Sequence, residues 1–449
     1  VVVLGIDIGT SKVAAVLLDA EGTLHSASSV PHHADLPAQP RCAEQSPDRI
    51  LDAAIEAVRG LDRGLRDHVS AIGVTGQMHG ILLVDASGKP VSPLITWQDL
   101  RCEEDGILQD LRQRTGYTLS TGFGSATLAY LDAHRQMPGS AAASGTIADW
   151  FVSRLCGQSR CRIDPTQAAS WGLFDLVSLQ WDMQAVEKAG IRGELLPAVV
   201  PCSSVAGQVC EAMAHRLTVP ARIPVAVALG DNQASLLATL AQPEQELGLT
   251  LGTGGQLSAV MPAGWRPAPA CGAQKFEYRP YVASRYVAVA SALCGGSAWQ
   301  WLAASVEGWL GDLGIPSPKR DDLYARLDQL GLASQRGLDI HPHFIGERYE
   351  PSLRGSISGI DMEDFTLGGL ASGLAYGIVR NLAAMLPEEV LRGRSRVVAS
   401  GNALRRSPLL RKAATEVLAG ELVMTDQQEE AACGAAKNAL LMLQCPERL

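Results

Sequence analysis

The sequence runs to 449 residues with a net charge of −9, 47% hydrophobic and 19% charged residues. That length exceeds what one core usually fills, so two or three domains are expected, and the composition is that of an ordinary globular protein. No Lys/Arg-rich run offers the basic stripe of a nucleic-acid binder, and no stretch of about 18 apolar residues offers a membrane span, so neither partner is expected.

The ten cysteines form no C-x-x-C pair and show no zinc-ligand spacing. Reduced thiols in a cytoplasmic protein are the expectation. No secretory leader is legible, and the chain begins at Val1 rather than Met.

In chain order, residues 1–10 read as a strand ending in Asp7-Ile8-Gly9-Thr10, and 13–18 as a second strand after a Gly-centred turn. Residues 48–61 carry helical spacing at Ile50, Ala54, Ile55 and Val58. A buried strand at 69–74 runs into the loop 75–80, and a short strand at 81–84 ends in an Asp-Ala-Ser-Gly turn. A strand at 223–229 leads to Gly230-Asp231-Asn232-Gln233, where a helix starts. After a polar connection at 242–246, the strand 247–251 enters the turn 252–255, and 257–260 continues beyond it. Residues 261–271 read as an irregular Pro-containing loop. A strand at 286–290 precedes Cys294-Gly295-Gly296-Ser297 and a helix at 298–306. A strand at 396–399 enters Ser400-Gly401-Asn402, followed by helices at 408–417 and 431–443.

The two halves share a heading. Leu4-Gly5-Ile6-Asp7-Ile8-Gly9-Thr10 and Leu247-Gly248-Leu249-Thr250-Leu251-Gly252-Thr253 agree at Leu, at both Gly and at Thr. Two related α/β units facing each other are expected, divided as 1–241 and 242–449.

Paired Gly turns suit a polyphosphate, because the bare backbone approaches closely and its N–H groups point at the anion. Thr10, Ser11 and Thr253 add hydroxyl donors. Asp7 can hold Mg²⁺ through water, as a nucleotide-bound Mg²⁺ takes one or two carboxylates and keeps several waters. Neither G-x-x-x-x-G-K-[ST] nor G-x-G-x-x-G occurs. Asp231, after a strand, suits a base for an acceptor hydroxyl; the alternative is a helix N-cap. The loop Thr75-Gly76-Gln77-Met78-His79-Gly80 presents an amide and an imidazole between glycines. Trp97 adds an aromatic face, while Asp99 and Arg101 read either as sugar contacts or as a structural ion pair. His32-His33 and His341-x-His343 read as surface or loop residues.

These motifs together resemble the FGGY carbohydrate kinases, nearly end to end. The resemblance implies a two-domain actin-like ATPase (ribonuclease H-like) α/β fold with the active site in the interdomain cleft. It implies ATP and Mg²⁺ as cofactors and a small-molecule sugar as partner. By it, residues 4–10 match the first phosphate motif (Gly9, Thr10, Ser11, Lys12) and 252–255 the second (Gly252, Thr253, Gly254, Gly255). Gln77, Met78 and His79 match the sugar motif of the ketose members, with Trp97, Asp149 and Asn232 as further sugar contacts. Asp231 matches the catalytic aspartate, and Asp7 with Asp231 the metal side. Gly295, Gly296, Gly401 and Asn402 fall on the adenosine side, and Gly346-Glu347-Arg348 matches a family signature.

The strings at 94–99, 120–124, 145–150 and 167–172 resemble those of family members acting on sedoheptulose, and that resemblance implies sedoheptulose as acceptor and its 7-phosphate as product, with xylulose the nearest competitor. Glycerol-specific members carry Arg-Glu where this chain has Met78-His79. One departure stands out: the usual cation near Ala14 is missing, and Lys12 either substitutes or is an ordinary surface lysine. A sugar- and nucleotide-binding regulator without catalysis is the rival of another class, and the chaperone ATPases that share the fold are a further one.

Overall fold

The computed structural model describes residues 1–37, 39–268, 275–334, 338–363 and 365–444. The expected irregular loop is irregular through 268, and its last residues, 269–271, lie outside the described residues.

The first half builds one sheet. Strands β1 (Val2–Ile8) and β2 (Lys12–Leu18) are apolar almost throughout and buried on both faces, as central strands are. Strand β3 (Leu24–Pro31) alternates between exposed and half-buried positions, which suits an edge. Helix α1 (Pro47–Arg59) starts on the Ser46 side chain, has Pro47 in its first turn, and buries the apolar stripe of Ile50, Ala54, Ile55 and Val58. Then come β4 (Val69–Gly76), helices α2 (Ile147–Leu155) and α3 (Pro165–Ala169), strands β5 (Val205–Gln208), β6 (Pro224–Ala226) and β7 (Leu229–Gly230), and helix α4 (Asp231–Thr239). The strand expected at 223–229 is thus two pieces. Val225 pairs with Ile72 of β4, but the Val227 N–H turns aside to the Ser204 carbonyl before Leu229 rejoins β4 at Thr75.

The second half contributes β8 (Glu246–Leu251), β9 (Gly255–Val260), β10 (Phe276–Tyr281) and β11 (Arg285–Ala292). Helices α5 (Gly296–Asp312) and α6 (Leu367–Met385), β12 (Arg396–Ser400), α7 (Pro408–Leu418), β13 (Glu421–Met424) and α8 (Glu430–Leu443) follow. Helix α6 escapes the sequence reading because four glycines, poor helix formers, interrupt it. Two of them admit neighbours: a Cβ at Gly373 or Gly377 would lie 2.3 or 2.1 Å from the carbonyl oxygen of Leu338 or Ile340.

Both sheets run in one order. The first reads β3-β2-β1-β4-β6 and the second β11-β9-β8-β12-β13, each with an antiparallel hairpin on one side and parallel strands on the other. The Gly turns at 9–11 and 252–254 therefore occupy equivalent places between the first two strands of each sheet.

The last helix of each half crosses to the other half. Helix α8 packs on the first sheet, with Ala432, Ala436 and Ala439 among Val3, Ala14, Val16 and Ala71. Helix α4 lays Ala234 and Leu236 against Val260, Val287, Val289 and Val398 of the second sheet. The two helices cross at Gly434, where a Cβ would lie 1.8 Å from the Ala234 carbonyl oxygen.

Candidate active site

Strand β4 delivers Gln77, Met78 and His79 at its C-terminal end. His79 adopts the left-handed region at φ 72° and is held there by Ser170, just past α3. Its backbone N–H donates to Ser170 Oγ at 3.1 Å, and its ring Nδ1 lies 2.7 Å from the Ser170 carbonyl oxygen. Phe123 stacks on the ring at 4.7 Å. A carbonyl can only accept, so Nδ1 carries the proton and Nε2 presents a lone pair. Burial first, and then the positive charge of Arg279, push the imidazole down to about 4, so it is neutral near pH 7. Neutral Nε2 can accept a hydrogen bond from a hydroxyl. Gln77 is buried; its amide donates to Gln45 Oε1 at 3.1 Å, while its own carbonyl oxygen has no partner. Met78 packs against Gly230.

The first turn is braced from behind by residues that spacing did not reveal. The Gln45 amide donates to the Thr10 carbonyl at 2.8 Å and also bonds Asp35, so one side chain links the Gln77 loop to the turn. His32, read above as a loop or surface residue, is buried (6% exposed), and its Nε2 lies 3.3 Å from the Gly9 carbonyl. Burial lowers its pKa. Trp97 Nε1 donates to Thr10 Oγ1 at 3.0 Å, joining the expected sugar-side aromatic to the expected phosphate turn. Asp99 and Arg101 are a structural pair: the guanidinium bonds both Asp99 carboxylate oxygens and Glu44, holding the 96–101 loop that presents Trp97.

Lys12 extends from the face of β2 that carries Ala14, as a two-residue offset requires. Its Nζ meets the Glu429 carboxylate at 2.6 and 2.8 Å, so this cation ties the first turn to the start of α8.

On the other half, the second turn stacks on the start of α5. The Gly296 N–H donates to the Gly252 carbonyl at 2.7 Å, and the Gly295 and Ser297 N–H groups both donate to the Thr253 carbonyl at 3.0 Å. Glycine is required at these contacts, since a Cβ at Gly295 would lie 2.2 Å from the Gly254 carbonyl oxygen. Gly401, at φ 96°, backs onto Leu251 in the same way, with Asn402 exposed beside it. The expected phosphate and adenosine segments of the second half are thus one surface.

Asp231 is the first residue of α4, and Gly230 rather than Asp231 occupies the N-cap. Burial raises its pKa to about 6, and the Asn232 N–H, bonded to Oδ1 at 2.7 Å, opposes that rise. Asn232 donates from its amide to Gln256 Oε1 at 3.0 Å, bridging to β9 just past the second turn. Burial, then the charge of Asp231, raises Asp7 to about 7. Asp7 Oδ1 is buried without a hydrogen-bond partner. Two adjacent carboxylates that resist joint ionisation, one with an orphaned oxygen, suit a divalent cation held largely by water. No cluster of three His, Cys, Asp or Glu exists among the described residues, so a fully protein-ligated metal cage is not what they offer.

Asp149 has a structural role at the start of α2, and its Oδ1 is buried without a hydrogen-bond partner. It is 1% exposed, and its Oδ2 accepts from Thr146 N at 3.1 Å and from Thr146 Oγ1 at 2.8 Å, a capping box at the start of α2. Thr146-x-x-Asp149 spells that motif in the sequence. Burial raises the carboxyl to about 8 from an unfolded value near 3.8. The folded state therefore keeps a proton that the unfolded chain releases, and this costs stability progressively as pH rises between those values. Asp149→Asn should leave sugar KM unchanged, and its melting temperature relative to the parent should climb from pH 5 to pH 8. A marked rise in KM would restore the sugar contact.

Residues 2–238 match the family described as the FGGY family of carbohydrate kinases, N-terminal domain. The chain belongs to that family. Sedoheptulokinase from Mus musculus is 35% identical over 99% of this chain and 97% of its own, and the Homo sapiens protein is 33% identical over 97% and 96%. Among solved structures, xylulose kinase from Rhodospirillum rubrum superposes with a TM-score of 0.82 at 24% identity, covering all of this chain and 90% of its own. The fold of this FGGY kinase is the two-domain actin-like one, and the protein is a sugar kinase. No helix among its described residues is long and apolar enough to cross a membrane.

Proposed function

We propose that this kinase transfers the γ-phosphoryl group of ATP to the terminal hydroxyl of sedoheptulose, giving sedoheptulose 7-phosphate. One observation carries the chemistry: Asp231, whose pKa burial raises to about 6, acts electrostatically on Asp7 before the first Gly turn, while its neighbour Asn232 bonds Gln256 just past the second. A base with that pKa is ionised near neutral pH yet still basic enough to take a hydroxyl proton as the bond to phosphorus forms. The choice of sugar is supported by the near-full-length likeness to two sedoheptulokinases.

In this reading Gln77, Met78, His79, Trp97 and Asn232 line the sugar. The turn at Gly9, Thr10 and Ser11, with Lys12, and the turn at Gly252, Thr253, Gly254 and Gly255 hold the phosphates. Gly295, Gly296, Gly401 and Asn402 face the adenosine. Asp7 and Asp231 hold Mg²⁺ through water, and the bound ion offsets phosphate charge. The units 1–241 and 242–449 close on the ternary complex, excluding the water that would otherwise hydrolyse ATP. The cytoplasm, which supplies ATP, is the proposed location.

A coupled ADP-release assay with MgATP against sedoheptulose, xylulose, ribulose and glycerol tests the proposal. The highest kcat/KM is expected with sedoheptulose. A preference for xylulose would replace the substrate and keep the enzyme, and no turnover on any sugar would favour a binding regulator.

A further inference from the structure

Strand β10 is the edge of the second sheet, yet it packs against α3 of the first half. Gln233 of α4 reinforces that contact, donating to the Pro280 carbonyl at 3.3 Å. Alternate residues of a strand share a face, and on β10 two such residues, Glu277 and Arg279, pair: Arg279 Nε and Nη2 each reach Glu277 Oε2 at 2.8 Å. The Arg279 side chain is only 9% exposed, whereas that of Glu277 is 49% exposed. A buried guanidinium therefore fixes a carboxylate that still faces solvent. The same α3 leads into Ser170, which grips His79, so the pair and the imidazole flank one short helix.

A third charge reaches this place. Arg348 is exposed, and among the described residues no hydrogen bond or ion pair holds it. Its neighbour Glu347 is 1% exposed; it accepts from the Leu293 N–H at 3.1 Å and from the Asn381 amide at 2.8 Å. That anchor ties the loop carrying Arg348 to the segment entering Gly295. Glu277, Arg279 and Arg348 all act electrostatically on His79, and Arg279 acts on Asp231 as well. With β10 packed on α3, whose end grips His79, the pair stands on the His79 side of the site.

We infer that Glu277 is a specificity residue of the acceptor site: held by Arg279, it accepts hydrogen bonds from hydroxyls at the end of the sugar remote from the one phosphorylated, and Arg348 donates at the same end. The substrate class is a neutral, long-chain polyhydroxy ketose. A fixed carboxylate rewards hydroxyl donors, and an array of them best. The inference rests on the sugar-kinase reading and extends it to the far end of the substrate.

Glu277→Gln keeps the size of the side chain and removes its charge. Calorimetric binding of sedoheptulose should weaken about tenfold, the scale of a lost charge-assisted hydrogen bond, with ADP affinity within about twofold of the parent. Steady-state KM should rise with it while kcat holds, and Glu277→Asp should recover part of the affinity. Equal sedoheptulose affinity in parent and Glu277→Gln would overturn the inference, as would joint loss of sugar and ADP binding, which marks a structural role. Absence of turnover in a parent enzyme that binds the sugar would defeat the kinase reading alone. Absence of sugar binding by the parent would defeat both.

Discussion

Asp231→Asn is expected to lower kcat by about 10²–10⁴-fold, the usual worth of a positioned general base. The substitution is nearly isosteric, and its carbonyl oxygen can still accept the Asn232 N–H that now bonds Asp231 Oδ1. Folding should therefore survive. ADP affinity, measured by calorimetry without Mg²⁺, should stay within about twofold, because in the proposed site the phosphates themselves rest on backbone turns. In the parent enzyme, kcat/KM for the sugar should fall tenfold per pH unit below about 6, where Asp231 takes up its proton. The variant should lose that limb of the profile. Turnover near the parent level would remove Asp231 from the role of base.

The second large effect is structural. At the crossing of α4 and α8, Gly434 meets the Ala234 carbonyl oxygen so closely that a methyl group would stand 1.8 Å from it. The obstacle is backbone, which cannot step aside as a flexible side-chain end can. Gly434→Ala should therefore cost about 1–3 kcal/mol or more, as overpacking does, and lower the melting temperature by several degrees. Gly308→Ala is the control. It lies in the exposed middle of α5 with nothing near a new Cβ, and replacing a helical glycine there should stabilise by up to about 1 kcal/mol. Equal melting temperatures for the two variants would show that the crossing tolerates separation. Because α4 begins at Asp231, separation there should also displace the base, and the variant's kcat should drop with its stability.

Much of the candidate site is legible in the chain because its chemistry is local. A glycine turn between two apolar runs declares a hairpin, and a carboxylate after a strand declares a helix start. The imidazole between Gly76 and Gly80 declares a tight loop, and the structure gives His79 the left-handed backbone that such a loop needs. Asp149 shows the limit. Its four-residue motif describes the cap it forms, whereas a sugar contact through its second oxygen is offered by resemblance alone. Lys12 is similar: its face follows from strand alternation, but its partner, Glu429, lies more than four hundred positions away.

By itself the sequence determined the strand–turn–strand headings, their repetition, and the residue types able to grip phosphate and take a proton. Local backbone preference and side-chain chemistry decide those features, and both are written within a few residues. Only the tertiary structure decided that each half lends its last helix to the other sheet. The repeated heading already held the sign of this: its matched glycines, Gly5 and Gly248, are where those helices press, against Ala432 of α8 and Leu236 of α4 respectively. The tertiary structure also set Gln45 and His32 behind the first turn and carried β10, with its Glu277–Arg279 pair, against α3. Those placements depend on how sheets, helices and loops distant in the chain pack, and no local pattern encodes that packing.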